Sequence, residues 1–230
     1  MNKLKLRKAL YGITALSAWS GLALSFVIEL FGLVELKLTD PPIPNSQFAY
    51  FGHYEDGLAG GPARLMDLFS YFTIWSQIVV GLFATLLFLN PSRDSKWMRI
   101  GLVDALLMIT VTGIVYNLLL GPNYPPQGLN QISSPIEHTI TPILMVLVFI
   151  VAGPRGWINA KTIAKALVLP IIYVGYTLVR GVITKTYPYD FFDVITYGYQ
   201  DVLTFVMVIL VASVFVASIY WLIDSRFAKR

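Results

Sequence analysis

Few residues in this chain are equipped for chemistry: it contains no cysteine and two histidines, His53 and His138. Thiolate nucleophiles, disulfides and cysteine-ligated metals are thereby excluded. His138 sits in an apolar stretch, where a side chain whose ordinary pKa lies near neutrality serves as a general base, a proton relay or a ligand. A bis-histidine haem would need a second histidine within the membrane, and His53 falls in a connecting segment. Zinc would need further ligands at a recognisable spacing. Metal-free base chemistry is what survives, and no cofactor is expected. Other polar groups lie at a similar depth in neighbouring apolar runs. Asp67, Ser70, Thr73 and Gln77 recur at intervals of three and four, the spacing of one helix face. Tyr116 and Asn117, Glu137 and Thr141, Tyr176 and Arg180, and Gln200, Asp201 and Thr204 occupy corresponding ends of further runs. Polar groups inside spans are costly, so their convergence at one level points to a cavity. Taken singly, each hydroxyl is more simply read as an interhelical or intrahelical hydrogen bond, worth roughly 1 kcal/mol.

The elements that must position these groups are transmembrane helices. The chain of 230 residues is 56% hydrophobic and 13% charged, far from the balance of a soluble domain. A helix needs about 20 apolar residues to cross a bilayer, and six such stretches occur, at about 10–33, 66–89, 99–120, 135–152, 162–183 and 199–223. Pro, Gly or charge stops each one, as in NPSRDSK, GPNYPPQG, GPRG and TYPYDFFD. The expected fold is therefore an all-α six-helix transmembrane bundle forming one domain, because helices satisfy their own backbone in lipid and barrel strands would be short and alternating.

Lys and Arg set the orientation. Lys3, Lys5, Arg7, Lys8, Arg93, Lys96, Arg99, Arg155, Lys161, Lys165, Arg226, Lys229 and Arg230 share one side, against Lys37, Arg64, Arg180 and Lys185 on the other. Both termini are expected in the cytoplasm, and the polar groups in the outer half of the bundle. The net charge of +4 reads as this topology signal and not as a nucleic-acid surface. The basic, apolar start is like a signal peptide, but its apolar run is too long and lacks a small-residue cleavage site, so a retained first helix is expected over a cleaved one. The external connection at 34–65 is too long for a turn and reads either as a lid over the bundle's mouth or as an inert loop.

Three segments, LFSYFTIWSQ (68–77), EHTITPIL (137–144) and YTLVRGVITKTYPYDFFDV (176–194), together resemble a prokaryotic branch of the androgen-induced-protein and ADTRP family, over roughly residues 66–224. That resemblance implies a six-span hydrolase of a bacterial or archaeal cell membrane that cleaves fatty-acid esters of hydroxy fatty acids with a threonine nucleophile and a histidine base. Thr73 matches the nucleophile and His138 the base. The residues before Thr73 are Ser70, Tyr71 and Phe72, where animal members usually carry a basic residue and a leucine, and this departure bears on substrate specificity. A threonine hydroxyl becomes a useful nucleophile when a neighbouring base takes its proton. The oxyanion would need donors, for which Gln77, Tyr116, Asn117 and Arg180 are candidates; Arg180 is alternatively the clamp for a substrate carboxylate. Asp193 or Asp201 would orient the imidazole, with Glu137 a weaker choice because adjacent helical residues diverge.

The implied partner is a membrane lipid or fatty-acyl ester entering from the outer leaflet. A transporter or proton-coupled channel could use the same Arg180, His138 and aspartates, but its polar groups should continue to the cytoplasmic side, where only Asp104 is ionisable. A third reading is a scaffold whose polar groups only join helices.

Overall fold

The computed structural model describes residues 3–34 and 54–228. Six helices are long and apolar enough to cross a membrane: Lys3–Phe31, Phe72–Leu89, Lys96–Leu120, Asn130–Ala152, Ala160–Thr184 and Val194–Ala228. No strand occurs among the described residues. In chain order the α-helices are α1 (Lys3–Phe31), a short α2 (Gly61–Leu68) outside the six, α3 (Phe72–Leu89), α4 (Lys96–Val115) and α5 (Asn130–Pro135). There follow α6 (Thr141–Ala152), α7 (Ala160–Ala166), α8 (Val168–Thr184) and α9 (Val194–Ala228). Two π-helical turns, Tyr116–Leu120 and Ile136–Ile140, continue α4 and join α5 to α6. Large apolar side chains such as Leu16, Leu118, Ile183, Phe215 and Leu222 face outward, as a bilayer requires of a bundle surface. The fold is that of a multi-pass, all-α membrane protein.

The basic end of the bundle is tied by backbone acceptors. Arg7 donates to the carbonyls of Ala152 (2.7 Å), Pro91 (3.0 Å) and Gly153 (3.3 Å). Asp224 accepts the amides of Gly156 and Ile158, both at 2.9 Å. Both terminal helices and the 90–95 and 153–159 connections thus meet at one end, as an even number of spans demands. Below the polar level this half is filled by Tyr11, Leu87, Leu106, Met145 and Phe149, among the most buried side chains.

At the opposite end, α1 stops at Gly32, whose φ of 61° lets the Leu33 amide reach back to the Ile28 carbonyl at 3.0 Å. Arg64 of α2 takes the next orphan carbonyls, Glu29 at 2.6 Å and Leu30 at 3.5 Å, and also binds the Glu55 and Gly57 carbonyls. Of the 34–65 connection, residues 35–53, with Lys37 and His53, lie outside the described residues, and so does the lid expectation.

The second span departs from its expected 66–89 helix. The chain breaks at residues 69–71, where Tyr71 is extended, and α3 starts afresh at Phe72. Buried carbonyls at the break need partners at this depth, and side chains supply them. Ser70 Oγ donates to Asp67 O (2.6 Å), Trp75 Nε1 to Phe69 O (2.8 Å) and Tyr173 Oη to Ser70 O (2.8 Å). Asp67 and Ser70 therefore do not share a helix face with Thr73 and Gln77.

Candidate functional site

Thr73 is the second residue of α3, so the break sets its hydroxyl at a fresh helix start inside the bundle. Its Oγ1 lies 3.1 Å from His138 Nε2. His138 belongs to the π turn between α5 and α6, and the widened turn governs what surrounds it. The Thr141 amide bonds Ile136 O, five residues back, and Pro142 has no amide to offer. The carbonyls of Glu137 and His138 are left for side chains. Gln77 Nε2 takes the first and Asn117 Nδ2 the second, both at 2.8 Å. Asn117 also donates to Gly113 O at 2.9 Å, locking the π turn of α4 against that of α5–α6. Gly113 is required there, since a Cβ would sit 2.9 Å from the Pro142 side chain.

The imidazole is held on three sides. Its Nδ1 is 2.9 Å from the Ser134 carbonyl, an acceptor only, which assigns the proton to Nδ1 and leaves Nε2 as a bare acceptor toward Thr73. Ser134 Oγ lies 3.1 Å from the same nitrogen and donates to Tyr116 Oη at 2.7 Å. The Tyr116 ring stacks on the imidazole, centroids 3.6 Å apart. A hydroxyl facing the basic nitrogen of a tautomer-locked imidazole is the arrangement from which a proton can be withdrawn.

Tyr189 completes the site and has no counterpart in the sequence reading. The 185–193 connection folds back beneath the start of α3, where Tyr189 Oη accepts the Phe72 amide at 3.0 Å. The same hydroxyl meets the amide and the side chain of Thr73. Burial pushes this phenol up to about 12, so it keeps its proton at neutral pH and remains a donor beside the threonine oxygen. Its sequence signal is faint, a tyrosine between Pro188 and Asp190 in a connection without periodicity.

Other expected participants stand elsewhere. Asp193 does not orient His138: it starts α9, accepting the amides of Ile195 (2.9 Å) and Thr196 (3.2 Å) and the Thr196 hydroxyl (2.5 Å). Asp201 is exposed on α9. The orienting acceptor is the Ser134 carbonyl, which i to i−4 geometry brings under the ring. Arg180 is buried in an ion pair with Asp67 and donates to Thr186 O at 3.2 Å, lining neither cavity described below. It joins α8 to α2. Asn117 has both amide hydrogens on carbonyls, Gly113 O and His138 O, while Gln77 commits one to Glu137 O, and neither side chain lines the cavities beside Thr73. Tyr116 does reach the site. Glu137 turns from the imidazole, accepting from Ser25 Oγ at 2.8 Å.

Two cavities meet at Thr73. One, of about 430 Å³, is a vestibule reaching the 121–130 connection and lined by Glu29, Tyr124, Glu137, His138 and Asp190. The other, of about 80 Å³, is a slot between α4, α8 and α9 lined by Leu107, Pro170, Val206, Leu210 and Ser213. Thr73, Tyr116 and Tyr189 border both. No family model, curated protein or solved structure matches the chain.

Proposed function

We propose that this protein is an intramembrane ester hydrolase with Thr73 as nucleophile and His138 as base. The observation that carries this reading is the 3.1 Å contact of Thr73 Oγ1 with an Nε2 whose lone pair is freed by the Ser134 carbonyl on Nδ1. The resemblance of the three sequence segments to threonine hydrolases of hydroxy-fatty-acid esters points the same way.

In the first half-reaction Nε2 takes the Thr73 proton as Oγ1 bonds to the acyl carbon. The carbonyl π electrons move onto oxygen, and Tyr189 Oη, already polarised by accepting the Phe72 amide, donates to that oxyanion. The start of α3 adds its positive end. Collapse expels the alcohol oxygen, which receives the proton from Nε2, and the acyl group rests on Thr73. A water then gives its proton to Nε2 and attacks the same carbon; collapse breaks the bond to Oγ1, which takes the proton back from Nε2, releasing the acid and restoring Thr73 and His138.

A transporter reading finds less support, because the polar level ends against the packed half of Leu87, Leu106, Met145 and Phe149. The test is lipid-ester turnover and fluorophosphonate labelling of purified protein. Thr73→Ala should abolish both while the protein still folds, since one hydroxyl contributes roughly 1 kcal/mol to helix packing. His138→Ala should suppress both, and the double variant should add little, because a pair acting as a unit is not additive. Near-normal turnover by Thr73→Ala returns the chain to the transporter or scaffold reading.

A further inference from the structure

The two chambers that meet at Thr73 differ in chemistry, and the difference bears on the substrate. Resting on the hydrolase reading above, we infer that the substrate is a straight-chain acyl ester whose acyl chain fills the slot and whose alcohol portion carries no carboxylate. Apart from His138 and tyrosines, the ionisable side chains lining the vestibule are carboxyl groups, Glu29, Glu137 and Asp190, with no Lys or Arg among the described residues there. Arg64, the cation near Glu29, is committed to four backbone carbonyls, and Arg180 to Asp67. A substrate carboxylate in this chamber would lie among carboxyl groups and find no cationic partner among the described residues of its wall. Hydroxyls suit it better, since Asn130, Ser133 and Gln127 place neutral hydrogen-bonding groups around the wall. This is opposite to what the family resemblance implies, because an ester of a hydroxy fatty acid ends in a free acid.

The slot contains no ionisable group other than tyrosine, and its walls are Leu, Val, Ile, Met, Phe and Pro with Thr112 and Ser213. Along α9 it runs from Val206 to Ser213, about 10 Å of helix axis. Its mouth is the Thr73 hydroxyl and its far end is at Ser213 and Leu107. An acyl carbonyl held at Thr73 therefore directs its tail down the slot and its alcohol oxygen toward the vestibule, where His138 can return a proton.

The test uses the full-length protein in detergent with two probe sets. Glycerol monoesters of four to sixteen acyl carbons read the slot, and the dodecanoyl ester of 12-hydroxystearic acid, as free acid and as methyl ester, reads the vestibule. The methyl ester should exceed the free acid in kcat/KM by about tenfold or more, the scale of one like-charge contact a few ångströms away in protein. Gln127→Lys, at an exposed position of the vestibule wall, should bring the two toward parity. Ser213→Phe should lose the long-chain esters while keeping the four-carbon ester, which also reports that the variant folds; Leu210→Phe, nearer the mouth, should shorten the preferred chain further. Preference for the free acid overturns the inference, and so does an unchanged chain-length profile in both slot variants. Failure of the wild type to cleave or be labelled by any ester probe overturns the hydrolase reading beneath it.

Discussion

Tyr189→Phe is the sharpest perturbation of this site, because it removes one oxygen and keeps the ring. Its stack on Phe191 (centroids 5.1 Å apart) and its edge contact with Tyr71 (5.7 Å) are retained. Two effects follow from the lost hydroxyl. The Phe72 amide loses its acceptor at a buried helix start, which should cost about 1–3 kcal/mol of stability. At about 2–4 °C per kcal/mol for a chain of this size, the melting temperature should fall by several degrees. On the proposed ester hydrolysis, the developing oxyanion loses a preorganised donor, which should lower kcat by about 100- to 1,000-fold, or about 2.7–4 kcal/mol of barrier. KM should change little, since the donor matters where charge develops and not in the ground state. The assay is kcat and KM on a single acyl ester at matched folded concentration, with the rate of fluorophosphonate labelling measured in parallel. Both rates should drop together, because phosphonylation passes through a similar charged state. A Tyr189→Phe enzyme with the expected fall in melting temperature but kcat within about threefold of wild type, under 1 kcal/mol of barrier, would refute the oxyanion role and leave Tyr189 as a helix cap.

Two further outcomes are expected. Arg180→Ala should destabilise the fold by about 3–5 kcal/mol, the scale for leaving Asp67 as an uncompensated buried charge, while the remaining folded enzyme keeps its chain-length profile; thermal unfolding and turnover per folded molecule separate the two, and a lost ester preference without lost stability would return Arg180 to the site. Reporters fused at the C-terminus or after Arg93 should read cytoplasmic and one at Asn123 external, from the Lys and Arg asymmetry, and an external C-terminal reporter would overturn that orientation.

Much of the architecture was legible because hydropathy is a local property. Six apolar runs of sufficient length are visible residue by residue, and even the kinked start of the last span agrees, since Gly198, with φ of 75°, interrupts α9 just before the expected 199. The break at residues 69–71 was not legible, for it contains no Pro or Gly. Side chains from distant parts of the chain, chiefly Tyr173 and Tyr189, and nearby Ser70 and Trp75 make it tolerable in a membrane.

What the sequence by itself determined is the number of spans, the level at which polar groups gather, and His138 as the one histidine within them. Thr73 was singled out by motif resemblance, and the structure brings its oxygen to that histidine. Only the tertiary structure decided the partners. Asp67 meets Arg180 from 113 residues away. A backbone carbonyl, not a carboxylate, orients the imidazole, because a π turn and Pro142 rearrange which carbonyls are free. Tyr189 enters the site because its connection folds beneath α3. Helical period specifies which groups share a face; which groups share a bond depends on where breaks, widened turns and returning loops set the backbone, and those are settled by packing between segments far apart in the chain.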